Sequence, residues 1–284
     1  MPKTAAHHPA TSAVKLLRWS GNAHLQARTD KLAREEPLEI RVAGRSVAVT
    51  MRTPGYDREL AAGFLLSEGI VRRRADVADI LHCRAAAAPD NTLNVFLAPS
   101  VRLDLARLTR HVFASSSCGL CGKASIESVH QHFPPVTNLV TVRTETLSRL
   151  PTRMRRAQEA FSQTGGLHAA ALFDARGRLL VLREDVGRHN AVDKVLGHGL
   201  LEGTLPFASH ILLVSGRASF EIMQKALAAR VPVVCAVSAP SSLAVDFARA
   251  SSQTLVGFLR DGGMNVYSGP ERIAGISGED KPKS

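Results

Sequence analysis

Three observations predict an α/β protein, with a small α+β unit preceding a larger layered one. From residue 168 onward, strand-like and helix-like runs alternate, the pattern of a sheet with helices on its faces. Before that, a hairpin signal runs directly into a capped, amphipathic helix. The chain has 284 residues, 45% of them apolar, enough to bury a core.

Residues 38–42 and 46–51 alternate around Ala43-Gly44-Arg45 and read as a hairpin closed by Pro54-Gly55. Asp57 is the expected cap of a helix reaching Glu68, with Leu60, Ala61, Phe64 and Leu65 on one face and Gly69 as its stop. Strands are expected at 77–83 and 92–97, and helices at 103–113 and 126–133. The polar, Arg-rich stretch 137–156, with Pro151 inside, reads as a connector or as the start of the second unit. In that unit 168–173 and 178–183 form a hairpin, and 190–201 a helix. There follow a strand at 210–214, an amphipathic helix at 219–230, a buried strand at 231–237 and a helix capped by Ser241 or Ser242. Strands at 254–259 and 265–267 close the set. The division is 1–20, a flexible tail; 21–114, the α+β unit; 115–136, a loop and connector; 137–276, the layered unit; and 277–284, a second flexible tail.

No apolar run reaches membrane-span length; the best, 231–245, is broken by Pro232, Ser238, Pro240, Ser241 and Ser242. The first residues lack the apolar core of a secretory signal, so a soluble cytoplasmic protein is expected. Lys and Arg total 36 against 25 Asp and Glu, for a net charge of +11, and 28 of the 36 are Arg. That fits either a solvated basic surface or an anionic ligand or partner. Aromatic residues are not interleaved with the basic stretches, which argues against single-stranded nucleic acid.

The chemistry centres on Ser115-Ser116-Ser117-Cys118-Gly119-Leu120-Cys121-Gly122-Lys123. Two of four cysteines lie three residues apart among small residues, beside a cation that favours thiolate. Cys83 and Cys235 sit in apolar runs and read as buried, inert thiols. Zinc needs two more ligands, and His130 and His132 do not match finger spacing, so no metal site is expected. A dithiol oxidoreductase would place the pair after a strand in a thioredoxin-like frame, and here it follows a serine run. Persulfide carriage needs an accessible thiolate with a second thiol nearby, and the Ser/Gly flanks suit it. A zinc-stabilised binding module and a thiol–disulfide oxidoreductase stand as the alternatives.

Other stretches look like a ligand rim. Gly165-Gly166 before His168 permits close backbone approach or simply a tight turn. Residues 184–194 pack polar groups at a strand end, as a ligand loop or as a solvated cap. Ser215-Gly216-Arg217 joins a buried strand to a helix start and suits a phosphate. At Phe258-Leu259-Arg260-Asp261-Gly262-Gly263, Arg260 suits phosphate and Asp261 a guanine edge.

These motifs together, SSSCGLCGKAS, TGGLHAA, REDVGRHNAVDK, VSGRASFEIMQKA, APSSLAVDFA and TLVGFLRDGGMNVYSG, resemble the FdhD family of formate dehydrogenase accessory proteins over about residues 115–269. The resemblance implies a sulfur carrier. Cys118 would take persulfide sulfur from a cysteine desulfurase, with Cys121 assisting. The acceptor would be the bis-molybdopterin guanine dinucleotide cofactor of formate dehydrogenase, with GDP as a partial mimic. Contacts to it are expected from residues 258–263, and from Arg217, Gly165, Gly166 and His168. The resemblance also implies a cytidine-deaminase-like C-terminal domain with a mixed sheet, and a cytoplasmic homodimer. Deaminase zinc ligands are not expected, because Ala169 and Ala170 follow His168 and Cys235 stands alone.

Overall fold

The computed structural model describes residues 10–21, 24–102, 126–127, 129–130, 132–138 and 140–276. Cys118, Cys121, residues 1–9, the helix expected at 103–113 and the tail 277–284 lie outside the described residues.

Strands β3 (Glu36–Val42) and β4 (Arg45–Arg52) form the expected hairpin. Ala43 and Gly44 have φ of 50° and 75°, the left-handed pair that a two-residue hairpin turn needs. β5 (Val77–His82) pairs antiparallel with β6 (Thr92–Leu97), and β6 runs parallel to β3, giving the order β4-β3-β6-β5. Helix α1 (Asp57–Ser67) buries Leu60, Ala61, Leu65 and Leu66. Asp57 is not its cap. Tyr56 takes that position, and the Asp57 carboxylate is 2.9 Å from the buried Arg52 guanidinium. A nearby buried cation outcompetes backbone capping for the carboxylate.

The stretch 137–156, a connector or the start of the second unit by sequence, is the latter: it contains α2 (Thr144–Ala157), an amphipathic helix burying Leu147, Leu150 and Met154. Its arginines and Pro151 masked the apolar spacing, and packing overrides the local penalty of the proline. A short α3 (Glu159–Thr164) follows. The second sheet contains β8 (His168–Asp174), β9 (Leu179–Asp185), β10 (His210–Val214), β11 (Val233–Ala236), β12 (Thr254–Arg260) and β13 (Gly263–Ser268). Its order is β13-β12-β11-β10-β8-β9, with β10, β11 and β12 parallel and the other pairings antiparallel, so the sheet is mixed. Helices α4 (Arg188–Leu201), α5 (Phe220–Ala228) and α6 (Ser242–Ala250) connect these strands. Ser241 caps α6, its hydroxyl accepting from the Ala244 N–H.

Alternation along the strands sorts the core. Ala169, Ala171, Phe173, Ile211, Leu213, Val233, Cys235 and Val256 pack with α2. Ala170, Leu172, Leu212, Val214, Val234 and Leu255 face the opposite way, into a core that continues through α4–α6 and α1 to the four-stranded sheet. The two units read from the sequence therefore share one hydrophobic core.

Residues 11–20 were expected in a loose tail. They form β1 (Thr11–Ser20), paired antiparallel with β2 (His24–Ala33), with β2 touching α3 through Lys31 and Gln163 (3.1 Å). Leu17, Trp19 and Leu25 of this ribbon are exposed, so no buried face marked it in the sequence. A two-residue parallel pair, β7 (Val142–Arg143) with β14 (Ile273–Ala274), ties the start of α2 to the end of the described chain.

Candidate functional site

The parallel strands β10, β11 and β12 end at one rim, the edge where open α/β sheets hold ligands. His168, opening β8, lies there opposite Asp185, which closes β9. The Ser215 hydroxyl accepts from the Ala169 N–H (2.8 Å) and the Ser215 N–H donates to the Ala169 carbonyl (2.9 Å), joining β10 to this corner. Gly216 follows. A Cβ there would come within 3.3 Å of His168 Nδ1 and 3.7 Å of Arg188 Cδ. On the far side, the Phe258 N–H donates to the Ser238 carbonyl (3.1 Å) just past β11. His168, Gly216, Arg188, Ser238 and Phe258 thus line a single edge.

Arg188 opens α4 directly after Gly187. Its Nε is buried and meets no acceptor among the described residues. A guanidinium N–H left without a partner costs free energy unless a ligand supplies the oxygen. Burial, and then the Arg188 charge, hold His168 below the usual histidine range, against an opposing pull from Asp185. Its ring is therefore neutral at pH 7. His189 is lowered to about 3, first by burial and then by Arg188, Lys225 and His168. It sits between Glu221 (Nδ1–Oε2 3.1 Å) and the Ser219 hydroxyl (3.4 Å).

That shift has a consequence for stability. The unfolded His189 takes up a proton near pH 6.5 and the folded one only near pH 3, so its contribution is complete above about pH 6.5 and is lost as pH falls. At pH 5 the loss from this residue is about 2 kcal/mol. Burial raises the Glu221 and Asp193 carboxylates, which act in the opposite direction, so the comparison must be with a variant. His189→Gln is expected to lose less stability than the wild type between pH 7 and pH 5, measured by urea midpoints. An equal loss in both proteins would refute the assignment.

The expected cofactor segment divides by exposure. Phe258 has φ 50°, uncommon for a non-glycine residue, and its ring is 40% exposed at an irregularity in the β12–β13 pairing. Arg260, Asp261, Gly262 and Gly263 are exposed, and Cβ atoms at the two glycines would meet nothing. Leu259 instead points into the core behind the sheet, so it offers a ligand only its backbone. Arg217 is exposed beyond Gly216. The start of α5 carries Glu221 in its first turn, which places a negative charge at that helix end. Gly165 ends α3 with φ 68°, and Gly166 lies against Ala33 of β2, so both serve as turn and packing positions.

Much of the polar loop 184–194 turns inward. Asp185, fully buried, accepts from Lys194 Nζ (2.6 Å), Gly187 N–H (2.8 Å), Asn190 Nδ2 (3.0 Å) and Thr53 N–H (3.2 Å). Asp193 pairs with Lys225 (2.9 Å), and both bond the Ser67 hydroxyl. These groups clamp the two units together. Arg188 is the rim residue the sequence reading left without a role; its signal was a charge just after a glycine at a strand-to-helix junction.

Of the other cysteines and histidines, Cys235 and His130 are held by packing. Cys235 is buried, its thiol raised to about 12 by burial. Cys83 is not buried as expected. It lies half-exposed just past β5, where the strand leaves the core. His130 Nε2 is 2.8 Å from the Ser251 hydroxyl, and its ring packs on Phe247. Among the described residues no helix is long and apolar enough to cross a membrane.

Chemically, the rim offers a guanidinium with an open donor, neutral imidazoles, an exposed aromatic ring and outer arginines. That set suits an anionic ligand with a stacking surface. Residues 33–274 match the model of the FdhD/NarQ family. The chain is 52% identical over 257 residues to the sulfur carrier protein FdhD of Streptomyces coelicolor, covering 88% of this chain and 91% of that one. It is 53% identical over 255 residues to the Mycobacterium tuberculosis sulfur carrier protein FdhD, covering 87% and 92%. A crystal structure from Desulfotalea psychrophila, described as a formate dehydrogenase accessory protein, superposes with a TM-score of 0.74 at 27% identity. The match covers 93% of this chain and all of that one. This chain belongs to the FdhD/NarQ family.

Proposed function

We propose that the protein is a persulfide carrier in the cytoplasm, working as a homodimer, that serves formate dehydrogenase. Cys118 thiolate attacks the terminal sulfur of a cysteine desulfurase persulfide. One S–S bond forms as another breaks, and the donor cysteine leaves as thiolate. Cys121 thiolate then attacks Cys118 sulfur, forming an internal disulfide and releasing the terminal sulfur as hydrosulfide to the acceptor. A dithiol reductant resets the pair. The acceptor is the metal of bis-molybdopterin guanine dinucleotide, bound at the rim as substrate. The likeness to sulfur carrier proteins supports the sulfur half of this reading.

The observation that carries the acceptor half is Arg188, whose buried Nε, beside His168 and Gly216, meets no acceptor among the described residues. A phosphate oxygen supplies what that donor lacks, Phe258 offers a face for a base, and Arg260 and Arg217 add charge at the outside. Each half has its own test. Incubation with a cysteine desulfurase and cysteine should add the mass of one sulfur atom, removable by reductant and absent in Cys118→Ala. An internal disulfide in the wild type, with no sulfur added even to Cys121→Ala, where the persulfide could not be discharged, would point to a thiol–disulfide oxidoreductase instead. Calorimetry with GDP should show about tenfold or greater weakening in Arg188→Gln, the scale of one charge-assisted hydrogen bond. Unchanged affinity would remove Arg188 from the site.

A further inference from the structure

At the opposite end of the parallel strands lies a second, basic cleft of about 430 Å³. The loop after α1 brings Arg72, Arg73 and Arg74 to it, and the end of α5 brings Arg230. Its floor is apolar: Leu200, Leu205, Pro206 and Ala228–Ala229. Among the described residues no carboxylate lines it. Two acids adjoin lining residues in sequence: Glu202, exposed beside Gly203, and Asp76, which already accepts from the Arg72 N–H (2.8 Å), the Arg73 N–H (3.2 Å) and Arg73 Nε (3.1 Å). Arg230, in a left-handed conformation (φ 63°), donates to the carbonyls of Pro134 and Pro135. Arg74 donates to the Val77 carbonyl. Three guanidiniums are therefore held in place with donors to spare, and Arg72 has no carboxylate partner among the described residues.

We propose that this cleft docks an acidic segment of a partner protein, with carboxylates on Arg72–Arg74 and an apolar side chain on the floor. Charge complementarity selects an anion, and an arginine edge around an apolar floor is the composition of an interface centre. The local backbone separates a peptide from a phosphate ligand. Helix N-termini favour phosphate, whereas α4 and α5 reach this cleft by their C-terminal ends. Their carbonyls repel a multiply charged group on the floor and leave room for anions only at the arginine edge. Arg230 also fastens the backbone at Pro134 and Pro135, thirteen and fourteen positions beyond Cys121.

The test uses the full chain and a fluorescein-labelled peptide of alternating Glu and Leu, read by fluorescence anisotropy. Arg72→Glu with Arg74→Glu is expected to weaken binding at least tenfold. Arg176→Glu with Arg249→Glu makes the same charge change at exposed sites elsewhere and is expected to leave binding within twofold. Circular dichroism melts establish that both double variants fold; if the first does not, Arg72→Gln alone replaces it, with a smaller loss expected. No binding to the wild type, or equal loss in both double variants, would overturn the proposal. Displacement of the peptide by pyrophosphate, at concentrations where an equal ionic strength of chloride has no effect, would assign the cleft to a phosphate ligand instead.

Discussion

Gly197→Ala is expected to destabilise the protein by about 3 kcal/mol or more, lowering the melting temperature by roughly 6 °C or more. Helices α1 and α4 cross with their backbones in contact. A Cβ on Gly197 would lie 1.8 Å from the Glu59 carbonyl oxygen and 2.7 Å from the Gly63 nitrogen. The contact is reciprocal, since a Cβ on Gly63 would lie 1.8 Å from the Asp193 carbonyl oxygen. Both obstacles are helical backbone, which cannot rotate aside as a long side chain can. Moving α1 outward would strip Leu60, Leu65 and Leu66 from the core it shares with α4. Alanine's better helix propensity returns only about 1 kcal/mol. Gly263→Ala, whose Cβ meets nothing, is the control and should melt within about a degree of wild type, a surface change near zero. A Gly197→Ala protein melting at or above wild type would sink the argument.

The second large effect is expected at the Asp185–Lys194 pair. Asp185→Asn keeps the shape but leaves the Lys194 ammonium buried without its counter-charge. Breaking such a pair costs about 3–5 kcal/mol. The pair is 2.6 Å apart with both side chains essentially inaccessible to water, and Lys194 also donates to the Thr53 carbonyl (2.8 Å). Thr53 in turn donates its N–H to Asp185, and its hydroxyl accepts from the Val186 N–H. The clamp therefore joins the strand leaving β4 to the end of β9. Urea titration of Asp185→Asn should show the loss, and Asp185→Leu with Lys194→Met should recover much of it, because no bare charge remains. A single variant costing less than about 1 kcal/mol would mean that the ammonium finds another partner.

These two positions show how far the sequence can be read. Gly197 sits inside a run with good helical spacing, where a glycine looks like a mild local defect. Its necessity comes from Glu59, far away in the chain. Asp185 stands in a loop that the sequence leaves open between a ligand loop and a solvated helix cap. Its four donors come from Thr53 as well as from its own loop, and only the fold brings them together. Leu259 likewise stands inside a promising motif yet faces the core, because alternation along β12 sends its side chain to the opposite side from Phe258.

By itself the sequence determined the hairpin β3–β4, helix α1 and nearly every strand and helix from His168 onward. It also determined, through six ordered motifs, the family to which the chain belongs. These are local signals: period-two and period-3.6 apolar spacing, turn glycines, and residue strings in one order. Tertiary structure alone decided that α2 forms despite Pro151, and that residues 11–20 pair as a strand. It also decided that the two units share one core, and that Arg188 rather than Asp185 faces the rim. Each of these depends on a partner distant in sequence, a buried face, a pairing strand or a counter-charge, and no local pattern records where that partner will stand.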